Sequence, residues 1–330
     1  MREFGYDRAT DVAGAIALLG ADPHAHYLGG GTNLVDLMKL GVEAPTRLVD
    51  VSRLPLAGIE VLPDGGLRIG STASNSDIAA HPDVRRRFPA VAQAVLAGAS
   101  GQLRNVATAG GNLLQRTRCP YFTDVTKPCN KRVPGTGCPA RDGEHHNHAI
   151  LGASVQCIAT HPSDFAVGLV ALDARVTVQE SDGPREIPLE EFYRPVGSTP
   201  ERETVLGPGA LITGIVLPGL PIAARSRYRK VRERASYAFA IGSIAAALHV
   251  TDGTVTEVRI ALGAVASRPW RARAAERVLL GAPVGADAFA AAADAELAAA
   301  QPLRDNAYKV PLMRNLIVTM LSELAEAPGR

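Results

Sequence analysis

Two glycine-rich segments and one group of cysteines are the places in this 330-residue chain where residue type and spacing could do chemistry. Gly29-Gly30-Gly31-Thr32-Asn33 follows the short apolar piece His26-Tyr27-Leu28 and leads into Leu34 and an amphipathic stretch ending at Leu40. It therefore reads as a loop between a strand and a helix or turn. Successive backbone N–H groups with no side chains between them form a concave donor surface suited to phosphate oxygens. Glycine also permits the positive φ angles that such a loop needs. Thr32 and Asn33 add side-chain donors. One loop of this kind reads first as a tight turn. About eighty residues later, however, Ala107-Thr108-Ala109-Gly110-Gly111-Asn112 repeats the combination of small residues, a hydroxyl and an amide. Two such loops suggest two phosphates. Neither is a GxGxxG fingerprint or a P-loop, since no Gly-Lys-Ser/Thr follows.

All four cysteines fall in one stretch, spaced Cys119-x9-Cys129-x8-Cys138-x18-Cys157. Pro120, Pro128, Pro134, Gly135, Gly137 and Pro139 keep the backbone irregular there, which lets four thiolates converge. Four converging thiolates suit zinc or an iron–sulfur cluster. The paired C-x2-4-C knuckles of structural zinc sites are missing, which favours [4Fe–4S], but ferredoxin spacing is missing too. Zinc, disulfides and free thiols stay open on spacing alone. His145, His146 and His148 share the loop and could ligate a metal, although they read first as part of a polar loop.

The elements that must position these residues follow from patterning. Thr10 can cap a helix with Val12, Ile16 and Leu19 on one face, ending at Gly20. Arg47 to Val51 is another short apolar run, Gly66 to Gly70 reads as a strand edge, and the polar run Ser71 to Asp77 as the cap of a helix near Ile78. Pro89 to Gly98 has helical spacing, whereas residues from Arg116 to about Ala159 lack periodicity. From Asp164 a helix and then a strand are expected. The PGLP run at Pro218 to Pro221 marks a boundary. Beyond it come a hairpin around Thr251-Asp252-Gly253 and helices at about Arg271 to Leu280, Ala286 to Ala300 and Leu312 to Ala325. The expectation is an α+β chain in two domains, 1–224 and 225–330, the first with an irregular stretch at about 116–158 that the resemblance below marks as an insertion.

Composition excludes several classes. With 46% hydrophobic and 21% charged residues, the chain is expected to be folded throughout. A net charge of +2 is too small to imply a nucleic-acid or anionic-membrane partner, and the basic run Arg225 to Arg234 lacks interleaved stacking aromatics. No run reaches the roughly 18 apolar residues a spanning helix needs, so no membrane insertion is expected. The first residues do not resemble a signal peptide. Folding in the cytoplasm is expected, and export alongside a signal-bearing partner is compatible with it. No Ser-His-Asp, HExxH or paired-carboxylate pattern stands out, so no catalytic side chain is assigned and chemistry belongs to cofactors.

LGGGTNL, IGSTASNSDI, LRNVATAGGNLL and HPSDFAVGLVALDA stand in an order that resembles the FAD-binding medium subunits of the xanthine dehydrogenase and carbon monoxide dehydrogenase family of molybdenum hydroxylases. Tyr228 to Leu262 and the final helices extend the likeness over nearly the whole chain. The resemblance implies an FAD-binding domain of the vanillyl-alcohol oxidase (PCMH) type in two subdomains, then a smaller α+β C-terminal domain. It puts Gly29, Gly30, Gly31, Thr32 and Asn33 on the pyrophosphate, with His26, Tyr27, Leu28 and Leu34 flanking them. It matches Thr108, Gly110, Gly111 and Asn112 to the second loop, Asp164 to a flavin-proximal acid, and Lys230 to the lysine after the domain boundary. Ordinary members lack the roughly forty residues that carry the cysteines here. CPYFTDVTKPCNKR and GCPA resemble the periplasmic aldehyde oxidoreductase subgroup, which implies a [4Fe–4S] cluster on Cys119, Cys129, Cys138 and Cys157. The implied partners are a large molybdenum-cofactor subunit, which oxidises aldehyde with water to the carboxylic acid, and a small [2Fe–2S] subunit. Electrons then pass through FAD to an external acceptor. Subunits acting on xanthine or aromatic substrates, a self-sufficient flavoprotein oxidase, and a zinc-stabilised assembly subunit are the competing readings.

Overall fold

The computed structural model describes residues 1–327. Its three sheets follow one another along the chain. Strands β1 (Gly5–Arg8), β2 (Ala25–Leu28) and β3 (Arg47–Asp50) form a small parallel sheet in the order β1-β3-β2. The helix Val12–Gly20 connects the first two strands, and Asp11 rather than Thr10 caps it, accepting the Gly14 N–H at 2.7 Å. Both residue types cap well, and the chain uses the one whose carboxylate reaches the first turn.

Strands β4 (Ile59–Val61), β5 (Leu67–Gly70), β6 (Arg175–Glu180), β7 (Gly183–Pro188) and β8 (Leu211–Leu217) make an antiparallel sheet in the order β4-β5-β8-β6-β7. Between β5 and β6 run short helices. Ser74 caps the first, Asn75–Ala80, which begins three residues before the expected Ile78. Every residue of the helix Asp164–Ala171 is buried. It lies against Pro89–Ala97, with Gly168 close to Ala90 and Val91. A helix apolar on all faces must be enclosed, and this one forms the centre of the largest apolar cluster.

The third sheet holds β9 (Ser226–Val231), β10 (Gly242–Thr251), β11 (Thr254–Gly263) and β12 (Trp270–Arg271) in the order β12-β11-β10-β9. Asp252 (φ 49°) and Gly253 (φ 72°) close the β10–β11 hairpin with two left-handed residues, the geometry that matches strand twist. Helices Arg273–Leu279, Ala286–Leu297 and Lys309–Glu326 cover this sheet and share its core. Residues 116–158 have only a four-residue helix, Pro120–Thr123, and a 3-10 turn, Pro139–Arg141. They enclose an apolar cluster of their own that contains the cysteines. No helix among the described residues is long and apolar enough to cross a membrane.

Candidate functional site

The two glycine loops touch each other. A Cβ on Gly30 would lie 1.9 Å from the carbonyl oxygen of Val106, and one on Gly29 would lie 2.8 Å from Thr108 Oγ1. Gly30 is therefore glycine because backbone approaches it closely, and Gly29 because the Thr108 hydroxyl does, in addition to any ligand. Gly31 has φ +72° and turns the chain from β2 into the helix Leu34–Lys39.

Their backbone donors differ. No acceptor among the described residues takes the N–H of Gly29, Gly30, Gly31, Thr32 or Asn33. In the second loop, Ala109 donates to Ala73 O, Gly110 to Ser71 O and Asn112 to Thr108 O. Only the Gly111 N–H is weakly engaged, 3.3 Å from Thr108 Oγ1. The sequence gives both loops the same look, but the first supplies the free donors and the second braces it. Asn33 adds one more. Its Oδ1 accepts the Arg116 N–H at 2.9 Å, which fixes the amide and leaves the buried Nδ2 without a partner. Buried donors of that kind are normally satisfied, so an unpartnered one calls for an acceptor.

Both loops face a cavity of about 1010 Å³. Of the residues singled out from sequence, His26, Tyr27, Gly29 to Leu34, Thr108, Gly110 to Asn112, Asp164 and Lys230 line it, whereas Leu28 does not. Leu28 ends β2 in register with Asp50, and its side chain packs beside Gly31. The Tyr27 hydroxyl donates to Gly209 O at 2.8 Å, and burial pushes its pKa up to about 12.

Asp164 is the first residue of its helix, which Ser163 caps. Its Oδ2 lies 2.8 Å from Lys230 Nζ, and its Oδ1 accepts the Tyr228 hydroxyl at 2.5 Å. The Lys230 side chain is 4% exposed and that of Asp164 8%, so this is a buried ion pair facing the cavity wall. Burial, then Asp164, holds Tyr228 protonated well above the ordinary tyrosine range. Further along the basic run, Arg229 binds Glu323, and Arg232 donates to Ala97 O. The sequence carries no local sign of Tyr228 or Arg116 in this site, because their partners are 64 and 83 residues away.

The four cysteines line one small pocket, and none is disulfide-bonded. Burial pushes Cys119 up to about 12, opposed by backbone N–H groups of Phe122 and Tyr121 and reinforced by the sulfurs of Cys157 and Cys129. Cys157 is likewise pushed up to about 11 by burial, with Lys131 acting against it. Ala159 N–H points at Cys157 Sγ from 3.4 Å, and N–H groups of Ile158 and Ala140 approach Cys138. Sulfurs that receive N–H donors in an apolar pocket suit thiolate ligation, since a bound cation supplies the charge that burial otherwise forbids. The space between them is about 10 Å³, and among the described residues no three His, Cys, Asp or Glu side chains stand in a finished metal-ligating arrangement. A metal centre would need these closely packed walls to part. The donor set fits in kind and number.

His145 and His148 are buried, contrary to the reading of a polar loop, because Lys309 and Asn306 of the C-terminal region reach their segment. His148 Nε2 lies 3.2 Å from Cys119 Sγ. Burial, with Lys309 and His145 nearby, lowers its pKa to about 4, so it is a neutral imidazole.

A bipartite α+β chain with free glycine-loop donors facing a large cavity defines a cofactor-binding protein, and comparison gives the family. The pattern described as "FAD binding domain in molybdopterin dehydrogenase" matches residues 2–220, and "CO dehydrogenase flavoprotein C-terminal domain" matches 226–324. The chain belongs to the FAD-binding medium subunits of the molybdenum hydroxylases. It is 49% identical over 324 residues, 98% of each chain, to the aldehyde oxidoreductase FAD-binding subunit PaoB of Escherichia coli (strain K12). It is 27% identical over 305 residues to the carbon monoxide dehydrogenase medium chain of Hydrogenophaga pseudoflava, covering 92% of this chain and 88% of that one. The crystal structure of carbon monoxide dehydrogenase from that organism superposes with a TM-score of 0.75 at 27% identity, covering 97% and 96%. The reconstituted enzyme from Oligotropha carboxidovorans shares the fold, with a TM-score of 0.77 at 21% identity over 99% of both chains. The protein is thus an FAD-binding subunit of an oxidoreductase of the aldehyde oxidoreductase-like molybdenum hydroxylases.

Proposed function

We propose that this chain is the FAD- and [4Fe–4S]-binding electron-transfer subunit of a heterotrimeric, molybdenum-dependent aldehyde oxidoreductase. The observation that carries the flavin site is the row of unpartnered N–H groups from Gly29 to Asn33, joined by Asn33 Nδ2, on the wall of a cavity of about 1010 Å³. That volume stands at the top of the roughly 300–1,000 Å³ usual for ligand pockets, as an extended dinucleotide requires. In this reading the first loop holds the pyrophosphate by backbone donation. Thr108, Gly110, Gly111 and Asn112 support it from below, and His26, Tyr27, Leu28 and Leu34 fix its approach. The Asp164–Lys230 pair supplies a fixed dipole at the wall.

Cys119, Cys129, Cys138 and Cys157 are the proposed metal ligands, supported by their shared pocket and the N–H groups aimed at their sulfurs. Bound flavin would take up and release electrons singly or in pairs, and an iron–sulfur centre one at a time. The aldehyde assignment rests on the 49% identity to the Escherichia coli subunit. It carries with it a large molybdenum-cofactor subunit that converts aldehyde and water to carboxylic acid, a small [2Fe–2S] subunit, and an external acceptor. A division at 224/225, with the insertion at 116–158 on the first part, completes the reading. So does folding in the cytoplasm before any export with a partner.

Purification of the assembled complex, with flavin, iron, zinc and molybdenum measured per chain, tests it. Flavin and four irons assigned to this chain are expected, and iron should fall in Cys129→Ser. A colourless, zinc-containing chain would sink the proposal.

A further inference from the structure

Cys119 differs from the other three cysteines in lining both the narrow thiol pocket and the large cavity. Thr117 is the one other residue common to both walls. Whatever the thiol pocket holds therefore meets the large cavity through this side chain. The same sulfur is the only one of the four in hydrogen-bond contact with a side-chain donor among the described residues, His148 Nε2 at 3.2 Å.

His148 is not free to choose another partner. Its carbonyl oxygen accepts from Lys309 Nζ at 3.0 Å and from Asn306 Nδ2 at 3.3 Å, and its backbone N–H donates to His145 O at 3.0 Å. Lys309 is itself fully buried and ties this turn to Ala264 O at 2.7 Å. The C-terminal region thus anchors the His148 backbone within the insertion, with the imidazole against Cys119. Nδ1 is buried with no partner, which leaves Nε2, facing sulfur, as the nitrogen placed to donate.

Resting on the proposed [4Fe–4S] ligation, we propose that His148 is a positioning residue that donates its Nε2–H to Cys119 Sγ. It thereby holds this ligand at the wall shared with the flavin cavity and raises the reduction potential of the metal centre. An N–H donor withdraws charge from a thiolate and so favours the reduced, more negative cluster, one of the ways a protein tunes such centres. The metal centre would then be poised by a histidine whose backbone the C-terminal region anchors, at the one cysteine that also lines the large cavity.

The test is an EPR-monitored redox titration of the assembled complex carrying wild-type chain, His148→Leu or His148→Gln, with iron and flavin measured in each. Leu removes the donor, whereas Gln retains an N–H of similar reach. The expected result is unchanged flavin and iron, a cluster potential shifted negative in His148→Leu, and at least part of that shift recovered in His148→Gln. Loss of iron in the Leu variant alone also supports the donor role. An unchanged potential in His148→Leu overturns the inference while leaving cluster ligation intact. So does an equal shift, or equal iron loss, in both variants, since that marks a packing role. Absence of four-iron signal and of iron from the wild-type chain overturns the ligation itself, and the two failures are thereby distinguished.

Discussion

Gly30 and Val106 approach so closely that a Cβ on the glycine would stand 1.9 Å from the valine carbonyl oxygen. Backbone on both sides leaves no flexible end to yield, so Gly30→Ala must drive the first glycine loop off the second. Overpacking of this sort costs roughly 1–3 kcal/mol. The displaced loop also loses its donor row. We expect Gly30→Ala to purify with little flavin and a lowered melting temperature. Gly20→Ala is the control, because nothing lies within 4 Å of that site and the change should alter neither. Normal flavin content in Gly30→Ala would refute the loop assignment.

Asn33 separates folding from binding. Asn33→Asp keeps an oxygen for the Arg116 N–H and replaces the unpartnered Nδ2 with a second oxygen. An oxygen turned toward a phosphate repels it, and losing a hydrogen bond to a charged group costs roughly 1.5–3 kcal/mol. FAD affinity should fall by about tenfold to a hundredfold while the urea midpoint of the apo chain moves little. Equilibrium dialysis of the deflavinated chain with FAD measures the first quantity and fluorescence-monitored unfolding the second.

Lys230→Met leaves the Asp164 carboxylate buried with Tyr228 as its remaining side-chain partner. Removing one member of a buried pair costs roughly 3–5 kcal/mol. The double variant Lys230→Met with Asp164→Asn no longer buries a charge, so it should recover much of that loss. Urea unfolding of the three chains decides: equal destabilisation of single and double variants would contradict the pairing.

The alternation of short apolar runs with Gly and polar punctuation was enough to locate β2, the Leu34–Lys39 helix, the Asp164–Ala171 helix and the β10–β11 hairpin. The hairpin is closed by its own turn, and the others carry their apolar and polar patterning in consecutive residues even where their partners are distant, as β3 is for β2. The chemistry of the two glycine loops was legible as a type but not as a division of labour. The carbonyls of Ser71 and Ala73 that occupy the second loop's donors lie some forty residues upstream. His148 was hidden for the same reason. It reads as one of three loop histidines until Asn306 and Lys309, about 160 residues away, bury it beside Cys119.

Burial lowers the pKa of His161, half-buried beside Tyr193, from 6.5 to about 4, with Lys131 also acting downward and Glu203 opposing. Between those two values the unfolded chain binds a proton that the folded chain refuses. Acid therefore favours unfolding in that window. The stability tied to His161 is complete above pH 6.5 and declines as the pH falls toward 4, by roughly 3 kcal/mol in all. Urea unfolding at steps across this range should show the loss. His161→Phe should flatten the His161 share of the slope, and an identical pH profile in that variant would rule the assignment out.

Glu203 joins the two pockets electrostatically. Lys131 Nζ lies 2.7 Å from its Oε1, and Arg116 pairs both with Glu203 and, at 2.5 Å, with Glu43 on the wall of the large cavity. Burial acts to raise the Glu203 carboxyl, yet Lys131 and Arg116 together hold it below its ordinary value. Lys131 in turn lines the thiol pocket and lowers the Cys157 thiol, while the Arg116 N–H fixes the Asn33 amide. Glu203→Gln keeps the shape and removes the shared negative charge, leaving two cations in contact with one neutral amide. Lys131 then keeps only neutral acceptors, the amide oxygen and the Pro200 carbonyl at 2.9 Å. Disturbance should spread both ways, with iron and flavin content each reduced and the chain destabilised by a few kcal/mol, as for other broken buried pairs. Glu43→Gln touches only the cavity end, so it should lower flavin content and leave iron at the wild-type level. Metal and flavin analysis of the two variants side by side measures this. Loss of both cofactors in Glu43→Gln would show that the coupling does not run through Glu203.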